Sequence, residues 1–323
     1  MKKSVFPIIP ITILLLLLAR PQLSFLGAKK GLTLWASVVL PTLLPFMICT
    51  GAIVALGGVP LLVRPFRPLF RIFGFSEAGS FVFLSGLLCG YPMGAKTCSE
   101  FLNCGMIEPK EARYLLAVSN HPSPMFLLGY VMAAWEQKGL PLLLLSVYLP
   151  LLPLSAAAKR YYGIHNLSSK DLSPSCRQDS HYDQFSFDNS MMNSFEVMVK
   201  IGGYIMLFSI AAEFIRAVSP FSPAINAILL GITEITTGIH AASMSMEGFL
   251  LWLSTAGLTV FGGISGIFQT KSVIKPDALC RKNAGLSIRH YIIWKLIHTG
   301  LTSAVLILLA LPQVLPSLRR LLP

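Results

Sequence analysis

The sequence has few charged residues for its length. Only 12% of its 323 residues are Asp, Glu, Lys or Arg, whereas 54% are hydrophobic. Soluble globular proteins contain about 25% charged residues, because most of their surface must face water. The deficit excludes an ordinary soluble domain and predicts that most of the surface lies in lipid.

The sequence also lacks the short motifs of common enzyme classes. It contains no G-x-S-x-G, H-E-x-x-H, Walker A or G-x-G-x-x-G motif, and its six cysteines form no C-x-x-C pair. The scattered cysteines are interpreted as small buried hydrophobes rather than metal ligands or a disulfide framework. A hydrolase site could be proposed at Ser119, His121 and Ser123, but such close neighbours do not face one another on a helix. We therefore predict no enzyme, no metal site and no cofactor.

Acidic residues are especially scarce, and the net charge is +12. The basic residues form short clusters beside apolar runs: Lys2-Lys3, Lys29-Lys30, Arg64/Arg67/Arg71, Lys159-Arg160, Lys271/Lys275/Arg281/Lys282 and Arg319-Arg320. This placement is typical of contacts with anionic lipid headgroups and of positive-inside topology, not of nucleic-acid binding. Clusters flank many apolar runs, so they do not fix the orientation of the chain.

Long apolar runs fill most of the sequence. They cover approximately residues 5–19, 32–59, 79–95, 114–135, 139–157, 197–217, 224–243, 248–268 and 290–312. Some runs are short or contain helix-breaking Gly and Pro, so not every run need cross the bilayer. With about 20 apolar residues needed per span, we predict an all-α polytopic membrane protein with about 7–9 hydrophobic segments.

The organisation of the chain follows from its ends and one polar interruption. Residues 1–30 resemble a signal peptide without a small-x-small cleavage site, which predicts an uncleaved signal anchor. Residues 163–195 are too polar for a membrane and too poor in aliphatic residues for a core, which predicts a linker. The linker separates a first half, 31–162, from a second half, 196–312, and a basic tail, 313–323, follows.

The two halves resemble each other weakly. Residues 84–90 align with residues 229–235, and residues 118–121 align with residues 263–266, both at an offset of 145 positions. Each half then has two interrupted apolar segments at matching places, which points to the substrate site of a transporter with broken or re-entrant helices. The alternative is that glycine is simply common in membrane helices.

The first interruption combines glycine, proline and a lysine. Its candidate substrate-binding residues are Gly90, Tyr91, Pro92, Gly94 and Lys96. Such a break must face protein or a water-filled cavity, because lipid cannot bond the freed backbone groups. Lys96 would attract an anion within a cavity. Alternatively, it lies at the interface and pairs with Glu100, four residues on.

The second interruption is the run from Ser119 to Pro124. Ser123 can cap a new helix with Pro124 at its first position, which would leave a helix N-terminus inside the membrane. Such an N-terminus favours anions. The candidate binding residues are Ser119, Asn120 and Ser123, and His121 is more often structural than a proton sensor.

The second half supplies polar residues at the matching places. Glu234 and Thr236 interrupt one apolar run, and Ser265 and Gln269 follow the glycines of another. Glu234 is predicted to bind a coupling cation or proton, or to neutralise Lys96, and it ranks above Glu213 because Glu213 lies near the end of its span.

The interruptions carry a resemblance to a known family. The motifs are Gly79-Ser80-Phe81, Gly90-Tyr91-Pro92-Met93-Gly94-Ala95-Lys96, Glu111-Ala112 and the run Ser119-Asn120-His121-Pro122-Ser123-Pro124-Met125-Phe126. Together they resemble the YlbJ-type sporulation integral membrane proteins of the nucleoside-recognition Gate group. The likeness covers roughly residues 31–310 and is clearest over 77–130. It implies inverted repeats and broken helices, as in concentrative nucleoside transporters.

The resemblance also implies a function. YlbJ-type proteins act late in endospore formation and are thought to carry dipicolinic acid from the mother cell across the outer forespore membrane. We therefore expect a bacterial membrane transporter of this small organic anion, with the lipid bilayer as its surroundings and no nucleic-acid partner. A nucleoside or other metabolite transporter, and a non-transporting structural or assembly protein of the spore envelope, are the alternatives. The coupling proton or cation and the oligomeric state stay open.

Overall fold

The computed structural model describes residues 8–137, 139–164, 187–274 and 286–319, and these residues form helices and no strands. In chain order the helices are α1 (Ile8–Ala19), α2 (Pro21–Leu34), α3 (Leu40–Ala55), α4 (Val59–Val63), α5 (Arg67–Phe73), α6 (Glu77–Cys89), α7 (Met93–Asn103), α8 (Pro109–Val118), α9 (Pro124–Phe126), α10 (Met132–Ala134), α11 (Leu140–Tyr148), α12 (Leu151–Tyr162), α13 (Phe187–Val218), α14 (Pro223–Thr233), α15 (Ile235–Ser245), α16 (Gly248–Phe261), α17 (Gly263–Val273) and α18 (Ile288–Arg319). The all-α prediction is confirmed.

Short irregular turns make some of these helices continuous. A π-helical turn, Trp35–Val39, joins α2 to α3, and another, Leu127–Val131, joins α9 to α10. A 3-10 turn, Arg64–Phe66, joins α4 to α5. The predicted boundary between residues 30 and 31 thus falls inside one helical stretch, Pro21–Ala55.

Five stretches of the described residues are long and apolar enough to cross a membrane. They are Pro21–Ala55, Leu140–Tyr162, Met191–Val218, Gly248–Val273 and Ile288–Ala310. Val59–Phe73 and Glu77–Cys89 meet at 98°, and counting them as one broken span gives six. The larger number of segments and the two repeated halves stay predictions.

The first of these stretches packs tightly against α13. A Cβ on Gly27 would lie 2.6 Å from Ile210 Cα, and one on Gly31 would lie 2.8 Å from Met206 Cα. Beside these glycines, Lys30 Nζ lies 2.8 Å from an oxygen of Glu213, whose side chain is buried. Small residues and an ion pair therefore form a close seam between α2 and α13, which we call the α2–α13 seam.

A buried carboxylate fixes the start of α6, the helix that leads to the first interruption. Ser76 is its N-cap and accepts a hydrogen bond from Gly79 N–H at 2.9 Å. Glu111 of α8 in turn accepts one from Ser76 N–H at 3.0 Å. Burial raises the pKa of the Glu111 carboxyl, and its hydrogen bonds with Ser76 partly offset the rise. A Cβ at position 79 would lie 2.2 Å from Glu111 Oε1, so a larger residue there would require the Glu111 side chain to shift.

Two predicted segments partly overlap helices. Helix α13 begins at Phe187, inside the predicted linker 163–195, and α18 continues to Arg319, inside the predicted tail 313–323. Residues 165–186 and 320–323 of these segments lie outside the described residues.

Three of the cysteines in the described ranges are free thiols, and two of these, Cys89 and Cys98, are buried as predicted. Cys104 corrects the prediction, because it is disulfide-bonded.

Candidate functional site

Helices are interrupted at four positions where the sequence predicts breaks. The first break separates α6 from α7 at Gly90–Pro92, and the second separates α8 from α9 at Ser119–Ser123. The third separates α14 from α15 at Glu234, and the fourth separates α16 from α17 at Gly262. These four breaks, numbered in this order, form the candidate site.

The first two breaks pack directly against each other. A Cβ on Gly86 or Gly94 would lie 1.8 Å or 2.2 Å from the carbonyl oxygen of Ser119. Gly90 has φ +79° and would place a Cβ 3.0 Å from Ser123 N. The glycines therefore permit backbone-to-backbone contact that a side chain would prevent.

The second break begins a new helix as the sequence predicts. Ser123 is the N-cap, its hydroxyl accepts a hydrogen bond from Phe126 N–H at 3.3 Å, and Pro124 is the first helical residue.

Asn120 links the second break to three other helices. Its Oδ1 accepts from Ala95 N–H at 3.3 Å, and its Nδ2 donates to Thr270 Oγ1 at 3.0 Å and to Tyr291 Oη at 2.8 Å. Ala95 lies in the first turn of α7, so Asn120 caps that helix from a different element. The other two partners lie on α17 and α18, so this buried amide joins the predicted halves.

Glu234 acts as a helix cap in the third break. Its buried carboxylate accepts hydrogen bonds from Thr236 N–H at 3.2 Å and Thr237 N–H at 2.8 Å, and also from both threonine hydroxyls. These bonds satisfy the first turn of α15. No ion pair within 4 Å joins Glu234 to Lys96 in the described residues, where Lys96 has a different carboxylate partner.

That partner is Glu100, one turn along α7. Lys96 Nζ lies 2.7 Å from Glu100 Oε1, and the two side chains are 19% and 54% exposed. The structure therefore shows the ion pair with Glu100 that the sequence offered as one interpretation.

The fourth break consists of two glycines in left-handed backbone. Gly262 has φ +80° and Gly263 has φ +68°. In the turn that follows, Gln269 Nε2 donates to Ser265 Oγ at 3.0 Å, so these two predicted site residues bond to each other.

Tyr91, in the first break, contacts residues at the fourth break. Its ring lies 3.5 Å from the Cβ position of Gly262, and its hydroxyl donates to Thr259 O at 3.4 Å. The first break of one predicted half therefore contacts the second break of the other.

Lys295 is a buried charge that our sequence reasoning missed. It is 4% exposed and donates to Val260 O at 2.9 Å, in the last turn of α16. Its Nζ lies 5.1 Å from the ring centre of Tyr91 and 5.9 Å from that of Tyr291. In the described part of the chain no carboxylate lies within 4 Å of it. The signal was in the sequence, because a lysine interrupts the apolar run 290–312.

Lys295 belongs to a polar stripe on α18, which consists of Tyr291, Lys295, His298 and Thr302. These residues are spaced four, three and four apart, so they share one helix face, and all are buried. His298 Nε2 lies 3.0 Å from Val147 O. The stripe faces the broken helices and gives an apolar span a polar inner face.

Three buried polar atoms near these elements have no hydrogen-bond partner among the described residues: His121 Nε2, Thr259 Oγ1 and Thr302 Oγ1. His121 lies between the rings of Phe83 and Tyr148 and interacts electrostatically with Lys295. Unpartnered polar atoms are uncommon in protein interiors, so these three atoms distinguish the region around the polar stripe from an ordinary protein interior.

Comparison with known proteins gives one relation that covers most of the chain. The sequence is 27% identical to the sporulation integral membrane protein YlbJ of Bacillus subtilis (strain 168), over 88% of this chain and 80% of that protein. No protein-family profile matches the chain. No solved structure matches it. With its long apolar helices and this similarity, the chain is an integral membrane protein related to the sporulation protein YlbJ.

Proposed function

We propose that the chain transports a small organic anion, and that this anion is dipicolinic acid moving from the mother cell to the forespore across the outer forespore membrane. The observation that carries the proposal is the meeting of four helix breaks, with Tyr91 and Asn120 bonded across the predicted halves. Broken membrane helices at the interface of two halves are the usual construction of a transporter site.

The positions of the polar groups support this proposal. Interrupted backbone inside a membrane protein is tolerated where it contacts protein or lines a water-filled cavity. Here the breaks bring together helix N-termini, buried hydroxyls, amides and a buried lysine. Helix N-termini attract anions, and a flat dianion such as dipicolinate offers two carboxylates to bind.

The residues proposed for the substrate site combine the four breaks: Gly90, Tyr91, Pro92, Gly94, Ser119, Asn120, Ser123, Glu234, Thr236, Ser265 and Gln269, with Lys96 at the edge. Glu234 and Asn120 act in the described state as helix caps. Substrate would then bind beside these capped helices. It would contact the polar groups of the site that are not engaged in capping.

The similarity to YlbJ supports the cellular setting of this proposal, because that protein is named as a sporulation integral membrane protein. A neutral nucleoside would not require a buried lysine, so the charge of Lys295 favours an anion over a nucleoside.

The test is the dipicolinate content of mother cell and forespore in sporulating cells that lack the gene. We expect dipicolinate to be made but to stay outside the forespore, and the intact gene to restore loading. Normal forespore loading without the gene would remove dipicolinate as the substrate. A spore-envelope defect with normal loading would instead favour a structural role.

A further inference from the structure

We propose that Lys295 and the N-terminus of α17 form a carboxylate-binding site at the fourth break. The choice of ligands rests on the proposed transport of an organic anion. The geometry of the site does not depend on that proposed function. The occupant is a small carboxylate whose charge would pair with Lys295, which has no carboxylate within 4 Å among the described residues.

Lys295 is a buried ammonium group with more hydrogen-bond donors than acceptors around it in the described part of the chain. A buried ammonium is unfavourable unless it is paired and hydrogen-bonded. Lys295 has three N–H donors, and Val260 O is their one oxygen acceptor among the described residues. The two tyrosine rings stabilise the charge but accept no strong hydrogen bond. A carboxylate would supply both the missing charge and the missing acceptors.

The four helices that start at the breaks differ in how their N-termini are capped. Asn120 caps α7, Ser123 caps α9, and Glu234 caps α15. Helix α17 starts after Gly262, which has no side chain and provides no cap. Its first N–H groups and the positive end of its dipole are therefore left for an anion.

Lys295 lies beside the N-terminal end of α17. Val260, which accepts the bond from Lys295, lies two residues before Gly262. The ring of Tyr91 contacts both parts, 5.1 Å from Lys295 Nζ at its centre and 3.5 Å from the Cβ position of Gly262. The ammonium and the uncapped helix end therefore border the same side chain.

Two buried, unpartnered polar atoms point independently to a ligand here. Thr259 Oγ1 is fully buried next to Val260, and His121 Nε2 is buried on a ring that interacts electrostatically with Lys295. The Thr259 hydroxyl could donate a hydrogen bond to a carboxylate oxygen, and His121 Nε2 could do so in the tautomer that carries the proton on this nitrogen. A ligand that pairs with Lys295 would thus also satisfy groups that the protein alone leaves unsatisfied.

The competing explanation is that Lys295 only caps the free carbonyls at the end of α16. Such a cap would be indifferent to the charge of added solutes. The two explanations therefore differ in what the protein binds, and not only in what a mutation does to its stability.

The experiment measures the thermal stability of the full-length protein in detergent against increasing dipicolinate, benzoate or pyridine-2,6-dicarboxamide, the neutral analogue of dipicolinate. We expect the carboxylates to raise the melting temperature and the diamide not to. Lys295→Gln should bind dipicolinate about tenfold more weakly or worse, the loss expected for one charge-assisted hydrogen bond. Lys295→Arg should retain most of the binding, and Lys200→Gln, at an exposed lysine of α13 that pairs with Glu196, is the matched control and should bind as the unmodified protein does.

Thr259→Val serves if Lys295→Gln fails to fold, because it removes one donor with little change of shape, and it too should weaken carboxylate binding. Unchanged dipicolinate binding in Lys295→Gln and Thr259→Val, or no carboxylate binding by the unmodified protein, overturns the site. Unchanged binding in these variants together with a loading defect in the gene deletion would leave the proposed function standing. Weakened binding in them with normal forespore loading would support the site and remove the dipicolinate function.

Discussion

Among single residues, Asn120 connects the largest number of elements in the site. One amide serves as acceptor for the first turn of α7 and as donor to α17 and α18. An amide suits this position because it carries an acceptor and two donors on one rigid plane.

Asn120→Ala should therefore lower the stability of the protein by about 1–3 kcal/mol, since it leaves buried partners unsatisfied. Melting in detergent measures the loss, and Asn103→Ala, at an exposed position on α7, is the control. A melting temperature equal to that of the control would show that the three bonds contribute nothing.

Glycines supply a second prediction for single residues. Gly86→Ala places a methyl group 1.8 Å from the carbonyl of Ser119, whereas Gly203→Ala, within α13, meets nothing within 4 Å. We expect Gly86→Ala to cost about 1–3 kcal/mol of stability through overpacking. Gly203→Ala should be neutral or slightly stabilising, because alanine is the better helix former. Equal melting of the two variants would mean that the first two breaks are not in direct contact.

The two lysines show what sequence reasoning could and could not find. Lys96 follows a glycine-rich break and attracted the functional prediction, but its own helix supplies Glu100. Lys295 had the same signal, a charge in an apolar run. Its surroundings, in which the described residues place no carboxylate within 4 Å, depend on which residues α16 and α11 place against α18, and such long-range packing cannot be read from spacing along the chain.

At the scale of helices, each break starts a new helix whose first backbone N–H groups need hydrogen-bond acceptors. Prolines and glycines in the sequence indicate where a helix must stop, so the positions of the breaks were predictable. Ser123 was predictable as a cap because it is local to its helix. Asn120 was not predictable as the cap of α7, because it lies 25 residues beyond the N–H that it accepts.

Substitution of Glu234 tests whether the third break needs the N-cap that this residue provides for α15. Glu234→Ala should destabilise the protein by about 1–2 kcal/mol, because α15 loses its N-cap. Glu234→Gln should cost less, since the amide oxygen still accepts a bond. Glu247→Ala, at the exposed start of α16 where the side chain forms no cap, is the control. Loss of transport in Glu234→Gln with unchanged melting would contradict a purely capping role and favour a cation or proton site.

At the scale of the whole molecule, the predicted halves are joined by polar contacts and by the α2–α13 seam. Besides the Asn120 and Tyr91 bonds, Tyr130 donates to Thr236 O at 2.9 Å and Trp135 donates to Thr255 Oγ1 at 2.8 Å. The offset of 145 positions predicted a relation between the halves, but not which side chains would bond across them.

The ion pair of the α2–α13 seam gives a prediction at this scale. Lys30→Met alone should destabilise the protein, because it leaves Glu213 buried with Arg216 3.9 Å away. Lys30→Met combined with Glu213→Leu should recover part of the loss, since no buried charge then lacks its partner. Melting of the two single variants and the double variant measures the coupling. Additive losses would show that the pair does not stabilise the seam.

The seam also sets an order of events during synthesis. Glu213 follows Lys30 by 183 residues, so at about 5–20 residues per second α2 leaves the ribosome roughly ten seconds or more before α13 exists. Through that interval Lys30 must extend its ammonium to the headgroups, and the glycine face of α2 must stay exposed to lipid or to the insertion machinery. The first long membrane helix is thus held for its partner, and assembly of the bundle can finish only after the second half has entered the bilayer.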